Sequence, residues 1–315
     1  MTIFADSFHF MLFGRVLQGL GSGGCFTLGT AVIFDVFSMD QAIEALNKIN
    51  MFVPFIMAAA PMLGGYLNYA YGFRSNFLAI AVFVLISLLI CLFWFKEPLP
   101  KEKRIPFNAK QIASDFGRVF SSLAFWQTTI IVCLLFSGYI TYLSGISVLF
   151  VLELDVQKIH LPFYQAALLG AWLLANLFFK KALSHWGVAQ VKKIGTCLFA
   201  AGGMGVAIVA WMAPQSTYLS VGMIMINAFG ANWTQGLYFP EGMNLFPDIK
   251  GITASLLTSA RLLISALVVG LASAYYNGTI YPIAYVVGGV TVISFITVIW
   301  YERRKATYEV LPTKV

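Results

Sequence analysis

Residues 8–37 read FHFMLFGRVLQGLGSGGCFTLGTAVIFDVF. The stretch is long enough to cross a bilayer, because ~20 apolar residues at about 1.5 Å each span a hydrocarbon core of ~30 Å. Yet it carries Arg15, with Gln18 one turn later on the same face, followed by Gly19, Gly21, Gly23 and Gly24. A charge in lipid costs from ~2.5 to more than 10 kcal/mol, so Arg15 is expected to face a protein or water-filled interior. The glycines let another helix approach closely. The segment therefore reads as one wall of a polar pathway, and the rest of the chain as the other walls.

The composition supports this. Hydrophobic residues make up 59% of the 315 residues and charged residues 10%. A soluble domain averages about 25% charged, so the chain reads as an integral membrane protein. The net charge of +7 is placed between apolar runs and reads as topology information, not as a nucleic-acid surface. Cys25, Cys91, Cys133 and Cys197 lie inside apolar runs and read as lone buried thiols. None of the three histidines has a Cys or His neighbour at ligand spacing, so no metal site and no cofactor is expected. Asp6 and the length of the first apolar run do not fit a cleavable signal peptide.

Nine spanning segments are expected, near 9–34, 49–70, 75–95, 125–150, 163–180, 193–213, 217–240, 251–275 and 281–301. The domain plan is three spans in 1–95, a basic proline-rich linker at 96–124, six spans in 125–302 and a basic tail at 303–315. One side of this arrangement carries Lys48, the cations of the 96–118 loop, Lys180, Lys181, Lys192, Lys193, Lys250 and Arg303–Lys305. The other side carries only Arg74 and Lys158. The lysine- and arginine-rich side is cytoplasmic by the positive-inside rule, which places the C-terminus inside.

Four motifs carry a resemblance. Arg15-Val16-Leu17-Gln18-Gly19-Leu20-Gly21 resembles the R-x-x-Q-G-x-G motif of the fourth helix in major facilitator superfamily transporters. Ala60-Pro61-Met62-Leu63-Gly64-Gly65, with Gly72-Phe73-Arg74 after it, is similar to the fifth-helix antiporter motif and the turn that follows it; Ala60 stands where glycine is usual. Lys96-Glu97-Pro98 matches the end of the sixth helix. Gly251-Ile252-Thr253-Ala254-Ser255 is similar to the opening of the eleventh helix in drug:proton antiporters of the bicyclomycin/chloramphenicol-resistance (Bcr/CflA) type.

The resemblance implies an all-α polytopic transmembrane bundle of the major facilitator fold, with these spans as helices four to twelve and the first three absent. It also implies secondary active transport at a plasma (inner) membrane, as proton-coupled efflux of small organic compounds. The expected partners are a small-molecule substrate, protons and the lipid bilayer, with no nucleic acid and no nucleotide. Uptake of an anionic metabolite is the alternative, and an inactive transporter fragment a further one. An enzyme or receptor is disfavoured, because no acid, base, nucleophile or metal-ligand constellation stands at membrane depth. No G-x-x-x-x-G-K-[ST] loop occurs either, which speaks against nucleotide-driven transport.

The candidate pathway residues are Arg15, Gln18, Tyr139, Tyr142, Asn227, Asn232, Gln235 and Arg261. Arg15 reads as part of the path or as a structural arginine bonding helix carbonyls, with Gln18 as its packing partner. Arg261, ten residues into its span, reads as a substrate contact or as half of a structural ion pair; the family pattern usually has a neutral polar residue nearby. The amides of 217–240 read as ligand contacts or as interhelical hydrogen bonds. Tyr139, Tyr142 and Phe136 are lining candidates. Gly19, Gly21, Pro61, Gly64, Gly65, Arg74, Gly251 and Ser255 are assigned to helix shape and packing. Trp94, Trp126, Trp300 and Tyr301 read as interfacial anchors, and Lys180-Lys181 with Lys192-Lys193 as plain topology signal. The charge pattern yields a direct test. A reporter fused after Lys110 should read cytoplasmic and one fused after Asn277 external; two fusions reporting the same side would break the nine-span reading.

Overall fold

A computed structural model describes residues 7–37, 63–96, 108–152 and 160–310, with a few residues between 41 and 60. The chain divides into two compact units, residues 1–107 and 108–315.

In the first unit, α1 runs Phe8–Val36. Ser7 caps it in an extended conformation, its hydroxyl accepting from the Phe10 N–H at 3.3 Å, which satisfies one donor of the open helix end. Residues 63–71 form a helical stretch, α2, that stops at Gly72, where φ is +79°. The Ser75 hydroxyl closes that turn by donating to the carbonyls of Leu67 and Gly72. Helix α3, Arg74–Trp94, is 21 residues of nearly unbroken apolar sequence and buries none of its side chains. At ~30 Å it matches a hydrocarbon core in length, and its surface suits lipid tails. Pro61 lies outside the described residues, as do Lys48, Lys158 and the 97–107 part of the linker.

The second unit begins with α4, Ala109–Phe120. The sequence reading had a loop here. Asn108 caps the helix through the Gln111 N–H, and Ile112, Phe116 and Val119 recur at spacings of four and three, the pattern of a one-sided helix. Val119 is fully buried, and the Trp126 indole donates to the Phe120 carbonyl at 2.8 Å. The long helices of this unit are α5 (Leu123–Leu152), α6 (Leu161–Met212), α7 (Thr217–Asn244), α8 (Lys250–Ala274) and α9 (Tyr281–Val310). Among the described residues, five helices are long and apolar enough to cross a membrane: α3, α5, α6, α8 and α9.

Helix α6 is two arms joined at Gly187, whose φ of +73° only glycine adopts without strain. Ala175 on the first arm and Gly195 on the second both meet Trp233 of α7. The chain therefore folds back at Gly187, and α6 supplies two of the expected spans.

The bundle is closed by glycine. A Cβ on Gly202 would stand 2.2 Å from the Asn227 backbone nitrogen, and one on Gly230 2.2 Å from that of Phe199. One on Gly203 would meet the Thr291 hydroxyl at 2.0 Å. The second arm of α6 thus lies backbone to backbone on α7 and against α9, the small-residue packing that membrane helices use where apolar burial gives no net drive. Ser137 and Ser265 hydrogen-bond at 3.2 Å where α5 meets α8. Of the four cysteines only Cys133 is buried; Cys25, Cys91 and Cys197 point outward, which corrects the expectation of four buried thiols. An apolar thiol is at no disadvantage facing lipid.

Gly202→Ala should lower stability by about 1–3 kcal/mol because backbone cannot yield to the new methyl. Gly170→Ala, with nothing within 4 Å of the new methyl, should be tolerated. Thermal melts of the two purified variants against the parent check this; equal melting would contradict the close packing.

Candidate functional site

Arg261 is the twelfth of the 25 residues of α8, near the helix centre. Its guanidinium carbon lies 4.7 Å from the ring centroid of Phe136 on α5 and 6.0 Å from that of Phe239 on α7. Its Nε is buried without a hydrogen-bond partner, and among the described residues it makes no ion pair. Phe136 continues into an aromatic wall: Trp172, on the first arm of α6, stands edge-on at 6.1 Å, and Tyr139 lies 5.3 Å from Trp172. The Tyr139 hydroxyl and the Gln235 carbonyl oxygen are buried without partners. The helices α5, α6, α7 and α8 thus bring one cation and four aromatic rings together. Rings hold a guanidinium by their faces and leave its N–H edge available.

The other expected pathway residues are placed as follows. Arg15 donates to Gln18 Oε1 at 3.1 Å, and its guanidinium covers the Phe77 ring at 4.7 Å, both within the first unit. Gly19 and Gly21 have nothing within 4 Å of a hypothetical Cβ, so no helix among the described residues sits in the groove they open. A Cβ on Gly64 would lie 3.6 Å from the Asn76 side-chain oxygen; Gly65 is half-buried, and Arg74 opens α3. Asn227 is fully buried and donates to the Phe199 carbonyl at 2.8 Å, tying α7 to α6. Asn232 and Gln235 are buried on α7. Tyr142 donates to the Ser220 hydroxyl at 2.8 Å, away from the Arg261 cluster's contacts. Gly251 is open, and the Ser255 hydroxyl returns to the Ile252 carbonyl. Trp172 and Phe239 were not foreseen.

A second constellation joins the start of the second arm of α6 to the C-terminal parts of α7 and α9. Lys192 donates to Glu241 at 2.6 Å and to Glu302 at 2.8 Å, and Lys305 donates to Glu241 at 2.6 Å. Tyr238 donates to Glu302 at 2.6 Å and Tyr301 to Glu241 at 3.0 Å. The Lys192 ammonium also sits 4.1 Å over the Tyr238 ring. Lys192 is 12% and Glu241 20% exposed, so water screens the pair poorly. This corrects two expectations: Lys192 is a structural ion-pair partner besides a topology signal, and Tyr301 is a buried hydrogen-bond donor, not a free interfacial anchor. Trp94 and Trp300 are 76% and 51% exposed. Partial burial disfavours the charge of Glu241, but the two lysines outweigh it and hold the carboxyl below its ordinary value. Arg118 does the same for Asp248.

Residues 1–269 match the family described as Major Facilitator Superfamily. A bicyclomycin resistance protein homolog of Haemophilus influenzae is 20% identical over 291 residues, which cover 92% of this chain and 73% of that protein. The multidrug resistance protein MdtL of Escherichia coli is 23% identical over 269 residues, covering 85% of this chain and 66% of MdtL. MdtL of Shigella boydii matches at the same identity and coverage. The matched region thus spans from just under two thirds to about three quarters of these relatives' lengths.

Glu241→Gln should cost about 2 kcal/mol at neutral pH, the scale of lost hydrogen bonds to a charged group. Because the folded carboxyl titrates below its ordinary 4.5, its contribution is present above that pH and disappears as pH falls through the folded value. The melting difference between parent and variant should therefore shrink in acid; a difference independent of pH would contradict the ion-pair assignment.

Proposed function

The chain belongs to the Major Facilitator Superfamily, and we propose that it is a secondary transporter that exports small organic compounds across the inner membrane at the expense of the proton gradient. The observation that carries this is the Arg261 cluster: a cation and aromatic rings drawn from four membrane helices, with hydrogen-bonding capacity left open among the described residues. Amphipathic organic molecules suit a mostly apolar wall with a few placed polar groups. The names of the relatives, resistance to bicyclomycin and to multiple drugs, support the same direction of transport.

Transport in such folds works by rocking of helical bundles, and in this reading 125–302 is one such bundle, with 96–124 as the linker. Such motion requires each bundle to move as a body. The Lys192–Glu241–Glu302–Lys305 network fastens α6, α7 and α9 at one end, and the glycine contacts fasten the same helices along their length. The basic residues around that end support a cytoplasmic location for it and for the C-terminus by the positive-inside rule.

The test is accumulation in cells stripped of their own pumps. Expression should lower accumulation of bicyclomycin, a protonophore should abolish the effect, and Arg261→Ala should reduce export by about tenfold or more at unchanged protein level. Export that survives the protonophore would overturn the energy source. Unchanged export by Arg261→Ala would remove this site from the pathway.

A further inference from the structure

We propose that the Arg261 face selects organic anions in which a carboxylate is attached to an aromatic ring system; this rests on the export reading and names the chemical class its site takes. The argument starts from the cation. Arg261 is half-buried at the middle of a membrane helix, has no carboxylate among the described residues and leaves Nε buried and unbonded. A guanidinium does not lose its proton under physiological conditions, so the charge stays. Ring faces stabilise it only in part. A carboxylate meets its planar N–H fork with two parallel hydrogen bonds, whereas a neutral ligand leaves the charge uncompensated and a cationic one is repelled.

The surroundings supply the second half of the specificity. Phe136, Trp172 and Tyr139 form a wall whose rings meet edge-on or tilted, the geometries aromatic pairs favour, and Phe239 faces the guanidinium from α7. The Tyr139 hydroxyl, buried and unbonded, belongs to the same cluster and has a proton to donate. An anion that also carries a ring uses both features; an inorganic anion uses only the first.

The test is equilibrium binding to the purified full chain in lipid nanodiscs, by titration calorimetry with empty nanodiscs subtracted. The probes are 2-naphthoate, its neutral isostere 2-naphthamide, and 2-naphthylmethylammonium. Naphthoate should bind about tenfold more tightly than the amide, the scale of a hydrogen bond to a charged group, and the ammonium should not bind. Arg261→Gln should bring naphthoate down to the amide, Arg261→Lys should retain part of the preference, and Trp172→Leu should weaken naphthoate and amide by the same factor. Equal binding of naphthoate and amide to the parent, or a preference that survives Arg261→Gln, overturns the proposal. If Arg261→Gln does not fold, the parent's own ratio and the Trp172→Leu result still decide. Flux in proteoliposomes separates the two readings. Naphthoate preference without proton-driven flux upholds this inference and defeats export; proton-driven flux of a neutral drug without naphthoate preference does the reverse.

Discussion

A guanidinium halfway along a membrane helix is the constraint on which the second unit turns. Hydrocarbon offers no hydrogen bonds and little dielectric, so Arg261 must be enclosed by protein or reached by water. The bundle answers by setting the faces of Phe136 and Phe239 against it and leaving its N–H edge without a protein partner among the described residues. Leucine at this position would avoid that expense. Retaining a charge whose desolvation is only partly offset is intelligible if a ligand completes it.

The neighbouring helices are packed more closely than side chains normally permit. Between the second arm of α6 and α7, glycine removes the side-chain layer at Gly195, Gly202 and Gly230, and Asn227 bridges the two backbones. At one end the Lys192 and Lys305 ammonium groups join two carboxylates and two tyrosines into a single network across α6, α7 and α9. In lipid, apolar burial between helices yields little, so contact distance and polar fastening carry the load. The exposed apolar surfaces of α3 and of Leu262, Leu263 and Leu267 on α8 complete the picture, since lipid accepts them without penalty.

Much of this was legible in the sequence. The apolar runs and the alternation of lysine and arginine between loops marked a membrane bundle, and R-x-x-Q-G-x-G with the Gly251–Ser255 opening marked the superfamily, with which residues 1–269 match. Arg261 stood out because a charge inside an apolar run has few explanations. Trp172 and Phe239 did not, because an aromatic residue in a membrane helix looks the same whether it faces lipid or a neighbouring cation; only the packing of α6 and α7 against α5 and α8 distinguishes them. Lys192 was hidden for a related reason. Its partners, Glu241 and Glu302, lie 49 and 110 residues away, and a lysine near a helix turn is explained sufficiently by topology until those ends are seen to meet. Helix α4 could have been read from Asn108 and the Ile112, Phe116, Val119 spacing, had the surrounding charge and proline not marked the whole stretch as linker.

The central claim is that Arg261 presents a positive charge that no carboxylate among the described residues compensates. It is tested most directly by a cysteine at Phe239, in a chain whose four native cysteines are replaced by alanine. The measurement is its reaction rate with a sulfonate-bearing and a trimethylammonium-bearing methanethiosulfonate, each normalised to a free thiol in solution. The account predicts faster reaction with the anionic reagent, and loss of that advantage on Arg261→Gln. No reaction with either reagent, or equal normalised rates in the presence of Arg261, would contradict it.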